Sequence, residues 1–326
     1  MRFYQYISGL ILFFSIASAN AQDLIKVDQI VGGYPASFSS TEDLALKITR
    51  DFSTDLEKVR AAYTWIALQV DYDIKALSKP QRVRFSYRSQ AELEAKKKQF
   101  REELALYTLL KRKALCEGYS TLFQNLCQKM NIECEIVSGT ARRLISEIGK
   151  ANLPSNHAWN AVNINGTWQL IDVTWAAGWV DYSKMKFNKE FSSAYFASHP
   201  DEFAMKHLPD DSKWLLSQKI RSKEGFAAQP IPYKSYLGKN IKLIAPQNGT
   251  LNIARSSGVQ FTLQNLPPNT DVAYHFKKEK YGQKVKSYSK ADTLTFTIYP
   301  NTKGRDELVI YFNGKPALGY KVNVKH

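Results

Sequence analysis

Apolar side chains recur at helical spacing through the first part of the chain. TEDLALKITRDF, from Thr41, and DLEKVRAAYTWIALQV, from Asp55, are two such stretches. In the second, Leu56, Val59, Ala62, Tyr63, Ile66 and Val70 share one face of a 3.6-residue period, which predicts an amphipathic helix. Ahead of them, residues 22–40 hold Gly32, Gly33 and Pro35, which break any period, and read as an unpatterned lead-in. KPQRVRFSYRSQ is basic and polar and reads as a loop. Ser89 and Glu92 have the spacing of a capping box, so a helix starts there and runs through ELEAKKKQFREELALYTLL. After Cys116 the pattern is helical again, with Tyr119, Leu122, Phe123, Leu126, Cys127 and Met130 on one face.

The period then changes to two. ECEIVSGTA predicts a strand, and HAWNAVNI and TWQLIDVTW flank Asn165-Gly166, a strong signal for a two-residue hairpin turn. Residues 176–225 read as irregular or helical. The stretch from Lys223 to Lys239, with Gly225, Pro230, Pro232 and Gly238, reads as a linker. Beyond it NIKLIA, GVQFTLQ, DVAYHFKK, TLTFTIYP, ELVIYF and ALGYKVNV are short strands, the last two joined by Asn313-Gly314, and predict a small β-sandwich. The expected fold class is α+β. The expected organisation is a leader over residues 1–21, a lead-in over 22–40, a first domain over 41–222, a linker over 223–239 and a β-sandwich over 240–326.

The leader rests on MRFYQYISGLILFFSIASANAQ. Arg2, an apolar run from Ile7 to Ala17, and Ala19-Asn20-Ala21 before Gln22 follow the order of a cleavable signal peptide. The run is shorter than the ~20 residues a spanning helix needs, and no later segment is apolar enough to span. A periplasmic, secreted or cell-surface protein with no integral membrane segment is therefore expected. Hydrophobic residues make up 44% and charged residues 23%, a globular composition rather than a disordered one. The formal net charge of +15 gathers between Lys79 and Lys113 and between Lys277 and Lys290. Such a surface attracts anionic polymers, so an anionic cell-surface polymer is one partner class; a solvated basic face is the plainer account. No nucleic-acid motif is present, and export argues further against nucleic acid.

Three cysteines, at 116, 127 and 134, leave at least one thiol unpaired within the chain. Their spacing matches no zinc pattern, and neither a metal nor a cofactor is expected. A catalytic thiol must ionise near neutral pH, and a helix N-terminus favours the thiolate. Cys116 has that place, just ahead of the helix predicted by EGYSTLFQNLCQKM. A nucleophile also needs a base, and the base needs an orienting group. With a two-residue turn at Asn165-Gly166, Ile164 pairs with Thr167 and Trp159 with Asp172. His157 shares a face with Trp159, so His157 and Asp172 are diagonal neighbours, about 7–8 Å apart between backbones. Cys116, His157 and Asp172 are thus the candidate catalytic residues.

These residues carry a resemblance. ALCEGYSTLFQNLC and NHAWNAVNINGTWQLIDVTW resemble the core motifs of the transglutaminase-like superfamily. YTWIALQVDYD and YFASHPDEFAMKHLPDDSKWLL are similar to its bacterial, kyphoscoliosis-peptidase-like branch. The resemblance spans residues 55–216 and leaves the C-terminal strands uncovered. It implies a papain-like core over residues 41–222, a helical half against an antiparallel sheet, with Cys116 as nucleophile, His157 as general base and acid, and Asp172 as orienter. Leu115 stands where many relatives have a small residue. The Cys116 amide is a reasonable first oxyanion donor, with Trp65 or Tyr72 as candidates for the second.

The remaining chemistry-bearing residues have plainer readings. Cys127 and Cys134 read as core residues, although a disulfide between them is geometrically possible. His199, His207 and His275 lack any partner pattern. Asp201-Glu202 and Asp210-Asp211 match no calcium loop and read as helix ends and turns. Trp159, Trp168 and Trp175 either line a substrate groove or pack the hairpin. The function these features imply is an exported peptidase or amidase that forms a thioester on Cys116, with a protein or peptide as substrate. A transglutaminase proper and a catalytically silent protein- or glycan-binding scaffold are the alternatives.

Overall fold

The computed structural model describes residues 23–77, 83–254, 256, 258–301 and 303–325. The leader expected over residues 1–21 lies outside the described residues. The described residues form two compact units, one within residues 23–136 and 159–191 and one within residues 137–158 and 192–325. Helices and mostly antiparallel strands together make an α+β protein. No described helix is long and apolar enough to cross a membrane.

In the first unit, residues 23–32 form a helix, α1, where an unpatterned lead-in was expected. Gly32 and Gly33 fall at its end instead of interrupting it, and Val27 and Val31, one turn apart, are buried. The expected helices follow. Ser40 caps α2 (Thr41–Asp51), and Thr54 with Glu57 forms a capping box on α3 (Asp55–Gln69). Every residue of α3 from Val59 to Ala67 is buried, not one face alone. The reason is α1. Asp28 accepts two bonds from Arg60, at 2.8 and 2.6 Å, and one from Thr64 Oγ1 at 2.6 Å, so α1 covers the polar side of α3.

β1 (Asp71–Tyr72) and α4 (Ile74–Leu77) lead to α5 (Gln90–Lys111), which starts at the expected cap with the Glu92 amide donating to Ser89 Oγ at 3.2 Å. β2 (Lys113–Ala114) runs parallel to β1. α6 (Cys116–Lys129) buries the expected apolar face and also Ser120, Thr121 and Gln124. β3 (Cys134–Ala141), β4 (His157–Ile164) and β5 (Thr167–Ile171) lie in the order β5-β4-β3. Two side-chain bonds tie α6 to them: Gln124 Nε2 donates to the Cys134 carbonyl at 2.8 Å, and Asn160 Nδ2 to the Ser120 carbonyl at 3.1 Å. α7 (Val173–Ala177), β6 (Gly178–Asp181) and β7 (Lys186–Lys189) complete the unit. The β6–β7 hairpin corrects the expectation that residues 176–225 are only irregular or helical.

In the second unit, α8 (Pro200–Ala204) leads into β8 (His207–Pro209), which pairs antiparallel with the later half of β3, Gly139 opposite Pro209. Residues 223–239, expected as a linker, hold α9 (Lys223–Ala228) and β9 (Ile231–Pro232). Among the described residues, nine strands follow: β10 (Lys242–Ala245), β11 (Thr250–Ala254), β12 (Val259–Gln264), β13 (Val272–Phe276), β14 (Gln283–Lys284), β15 (Ser287–Lys290), β16 (Thr293–Ile298), β17 (Gly304–Phe312) and β18 (Lys315–Lys325). They make two sheets, β10-β12-β16-β15 and β11-β18-β17-β13-β14, and β9 adds to the second by pairing with β18. Phe261 of one sheet meets Tyr320 of the other edge-on, with ring centroids 5.4 Å apart, as in the expected sandwich. Ile145 and Ile148, from the segment after β3, pack with Ile231, Tyr233 and Val309.

Candidate active site

Cys116 is the first residue of α6, one position inside the helix and not just ahead of it, and it is half-buried. Leu115 holds the capping position without contributing a side-chain bond. The amides of the first helical turn therefore have no side-chain cap from that residue, which favours negative charge beside them. Two contacts fix this turn. The β1–β2 pairing sets Tyr72 opposite Ala114, two residues before the cysteine. At Gly118 the end of α5 comes so close that a Cβ would stand 2.7 Å from both Ala114 Cβ and Thr108 Oγ1. One turn into the helix, the Tyr119 hydroxyl donates to the Val70 carbonyl at 2.5 Å, and burial pushes its phenol well above the ordinary range.

The hairpin has the expected register, from Ile164 opposite Thr167 to Asn160 opposite Ile171. Asn165 and Gly166 both have positive φ, 52° and 80°, as a two-residue turn of this hand requires. The second strand is shorter than TWQLIDVTW suggested. β5 stops at Ile171, and Asp172 caps α7, its Oδ1 accepting from the Trp175 amide at 3.0 Å. Asp172 is fully buried, and a buried carboxylate is tolerable only with such donors. α7 in turn packs against α3 and α6. His157 opens β4, at the point where that strand belongs to the second unit, and it is half-buried.

His207 has a setting that no local pattern announced. It is buried at the start of β8, stacked on Phe203 with centroids 4.0 Å apart, and its Nδ1 lies 3.2 Å from the Phe203 carbonyl. A carbonyl only accepts, so this contact places the proton of a neutral His207 on Nδ1. Within the second unit its ring centroid is 5.9 Å from that of His157, and a nitrogen of each ring lies within 4.8 Å of the other. Two such nitrogens are also potential metal donors. The His207-Leu208-Pro209 strand pairs with β3 across some seventy residues, and from the sequence residues 176–225 read as irregular or helical.

The other candidates sort by their contacts. Trp65 donates its indole N–H to the Pro35 carbonyl at 3.0 Å, which commits the donor considered for an oxyanion. Tyr72 keeps its place beside the approach to Cys116, its ring tilted against Phe187. Trp159 is buried, and Trp168 and Trp175 are half-buried. Asp201 accepts from Ser217 Oγ and from the Gln218 and Lys219 amides, and Asp211 caps a short turn, as helix ends and turns do. Cys127 and Cys134 are buried and free.

The sequence signature of the Transglutaminase-like superfamily matches residues 42–173, a span that holds Cys116, His157 and Asp172. Over 302 residues the chain is 26% identical to the Kyphoscoliosis peptidase of Homo sapiens, covering 92% of this chain and 42% of that relative. The Kyphoscoliosis peptidase of Mus musculus is also 26% identical, over 281 residues, covering 86% of this chain and 39% of that one. The chain spans about two-fifths of the length of these relatives. A solved structure of a TGase aligns with 41% of this chain and 32% of its own, at 22% identity and a TM-score of 0.27. The segment that carries α6 and the β4–β5 hairpin thus matches the transglutaminase-like superfamily.

Proposed function

We propose that this chain is a cysteine-dependent acyl-transfer enzyme, a peptidase or amidase, in which Cys116, His157 and Asp172 act as a triad. The observation that carries this reading is the placement of Cys116 as the opening residue of α6, half-buried and inside the matched segment. In the reaction the Cys116 thiolate adds to the amide carbonyl carbon, and the charge on the carbonyl oxygen is met by the Cys116 amide. Tyr72, opposite Ala114 in the β1–β2 pair, is the second donor we assign to that oxygen. The C–N bond then breaks as His157 gives its proton to the leaving amine, and a thioester remains on Cys116. Water, deprotonated by His157, releases the acid and restores the thiolate; an amine in place of water would make the same enzyme a transamidase. Asp172 holds the His157 imidazole in the tautomer these steps need.

The test is the rate of Cys116 alkylation by iodoacetamide against pH, in the wild type and in His157→Ala. Fast labelling at pH 6–7 that depends on His157 is the expected outcome. Labelling that rises only near the ordinary thiol value of about 8.5, unchanged by His157→Ala, would overturn the enzyme and favour a binding scaffold. The export inferred from residues 1–21 belongs to the same reading. The protein is expected outside the cytoplasm with Gln22 first, and a cytoplasmic chain that keeps its leader would contradict this.

A further inference from the structure

Cys127 and Cys134 play no part in the proposed mechanism, yet they are placed together. Cys127 lies in the last turn of α6, Cys134 opens β3, and both belong to the first unit. The two thiols are in hydrogen-bonding contact, and burial, with Cys127 beside it, pushes the Cys134 thiol up. Asn160 Nδ2 also donates to Cys134 Sγ at 3.6 Å, which fixes that sulfur within the buried layer between helix and sheet. Around the pair the backbone is held too. Gln124 Nε2 bonds the Cys134 carbonyl, and the Ile132 amide donates to the Cys127 carbonyl at 2.9 Å, closing the turn between helix and strand.

We propose that Cys127 and Cys134 are a disulfide site, joined when the chain folds under oxidising conditions, with Cys116 left out of the bond. The fold excludes the other pairings. Cys116 and Cys127 are eleven residues apart on one helix, a separation of about 16 Å along its axis, against a Cα–Cα limit of about 7 Å for a disulfide. Cys134 sits beside Cys127 and is therefore remote from Cys116 as well. The chemistry balances as thiol–disulfide exchange. The thiolate of one cysteine attacks a small-molecule or protein disulfide and expels one thiol; the second cysteine then attacks the mixed disulfide and expels the other. Two protein thiols lose two hydrogens, and the donor disulfide becomes two thiols. Because both sulfurs are buried in the folded unit, the exchange belongs to folding, before α6 and β3 close over them. The consequence for a nucleophile, that no neighbouring thiol competes with it or traps it, rests on the reading of Cys116 given above. The pairing itself does not.

The full chain, reduced and unfolded, is refolded in a mixture of reduced and oxidised glutathione. Recovery of near-ultraviolet circular dichroism marks the native fraction, which is unfolded with N-ethylmaleimide present and mapped by mass spectrometry. The expected result is maleimide on Cys116 alone and a linked Cys127–Cys134 peptide, two hydrogens lighter than its reduced form. Maleimide on all three cysteines, glutathione retained on Cys127 or Cys134, or any disulfide that includes Cys116 would overturn the proposal. Cys116→Ser carries the same readout if the nucleophile interferes. The thiol count does not depend on the alkylation rate of Cys116, so the disulfide and the triad can fail separately.

Discussion

Arg60 is nearly fully buried in the middle of a helix, and its partner Asp28 comes from a segment whose glycines and proline hid its helical character. The bidentate pair, with Thr64 as a third donor, neutralises a guanidinium that would otherwise be stranded in the core. Removing one partner of such a pair is more damaging than never having had it, because the remaining charge stays buried. Asp28→Ala is therefore expected to lower stability by about 3 kcal/mol, measured by urea unfolding, with Arg60→Met plus Asp28→Ala recovering part of the loss. At this scale the sequence was legible where chemistry is local. Cys116 opens α6 close to where the pattern put it, and Asn165-Gly166 turns as its residue types require. His207 and the Asp28–Arg60 pair were not legible, since each depends on residues brought together from distant parts of the chain.

Among elements, α6 is the one that carries the candidate nucleophile, and its position is set at both ends. At its start Gly118 admits α5, and a methyl group there would meet Ala114 Cβ and Thr108 Oγ1 at 2.7 Å. Thr108 belongs to a buried face and Ala114 to the β2 strand, so neither can yield without moving the approach to Cys116. Gly118→Ala is expected to destabilise the protein by about 1–3 kcal/mol and to slow Cys116 alkylation. Both effects are readable on one preparation, by thermal melting and by the iodoacetamide rate. Wild-type alkylation in a destabilised variant would show that the close approach matters for packing alone. The helix boundaries themselves were legible, because Ser40, Thr54 and Ser89 are capping residues at the right spacing. The end of β5 was not: Val173 and Trp175 suit a strand by propensity, but Asp172 turns the chain into α7 by bonding the Trp175 amide.

At the scale of the whole molecule, the C-terminal sandwich shares its compact unit with segments that precede it by some hundred residues. Ile145 and Ile148 pack with Ile231 and Val309, and Gly319 of β18 is in close contact with the Ile145 side chain. β9, within residues expected to be a linker, pairs with β18. Deleting residues 240–326 would expose this apolar cluster and strip β9 of its partner, so the shortened chain is expected to aggregate or to melt well below the full chain. A soluble fragment with an unchanged melting midpoint, by light scattering and calorimetry, would contradict that expectation. The alternation of apolar and polar residues was enough to announce most of the sandwich strands, because each such strand buries one face. The parallel pairing of β11 with β18 was not announced, since parallel partners are not joined by a local turn.

By itself the sequence determined α2, α3 and α5 with their caps, the Asn165-Gly166 hairpin and its register, and the strand-rich C-terminal region. Each is encoded within a few neighbouring residues, where period, capping and turn chemistry act. The tertiary structure decided that α1 is a helix, because only its contact with Arg60 and Thr64 gives Asp28 a role. It decided that α3 is buried all round, that His207 lies beside His157, and that Cys127 meets Cys134. These depend on which surfaces close on one another, and a linear pattern records that a face is apolar without recording what covers it.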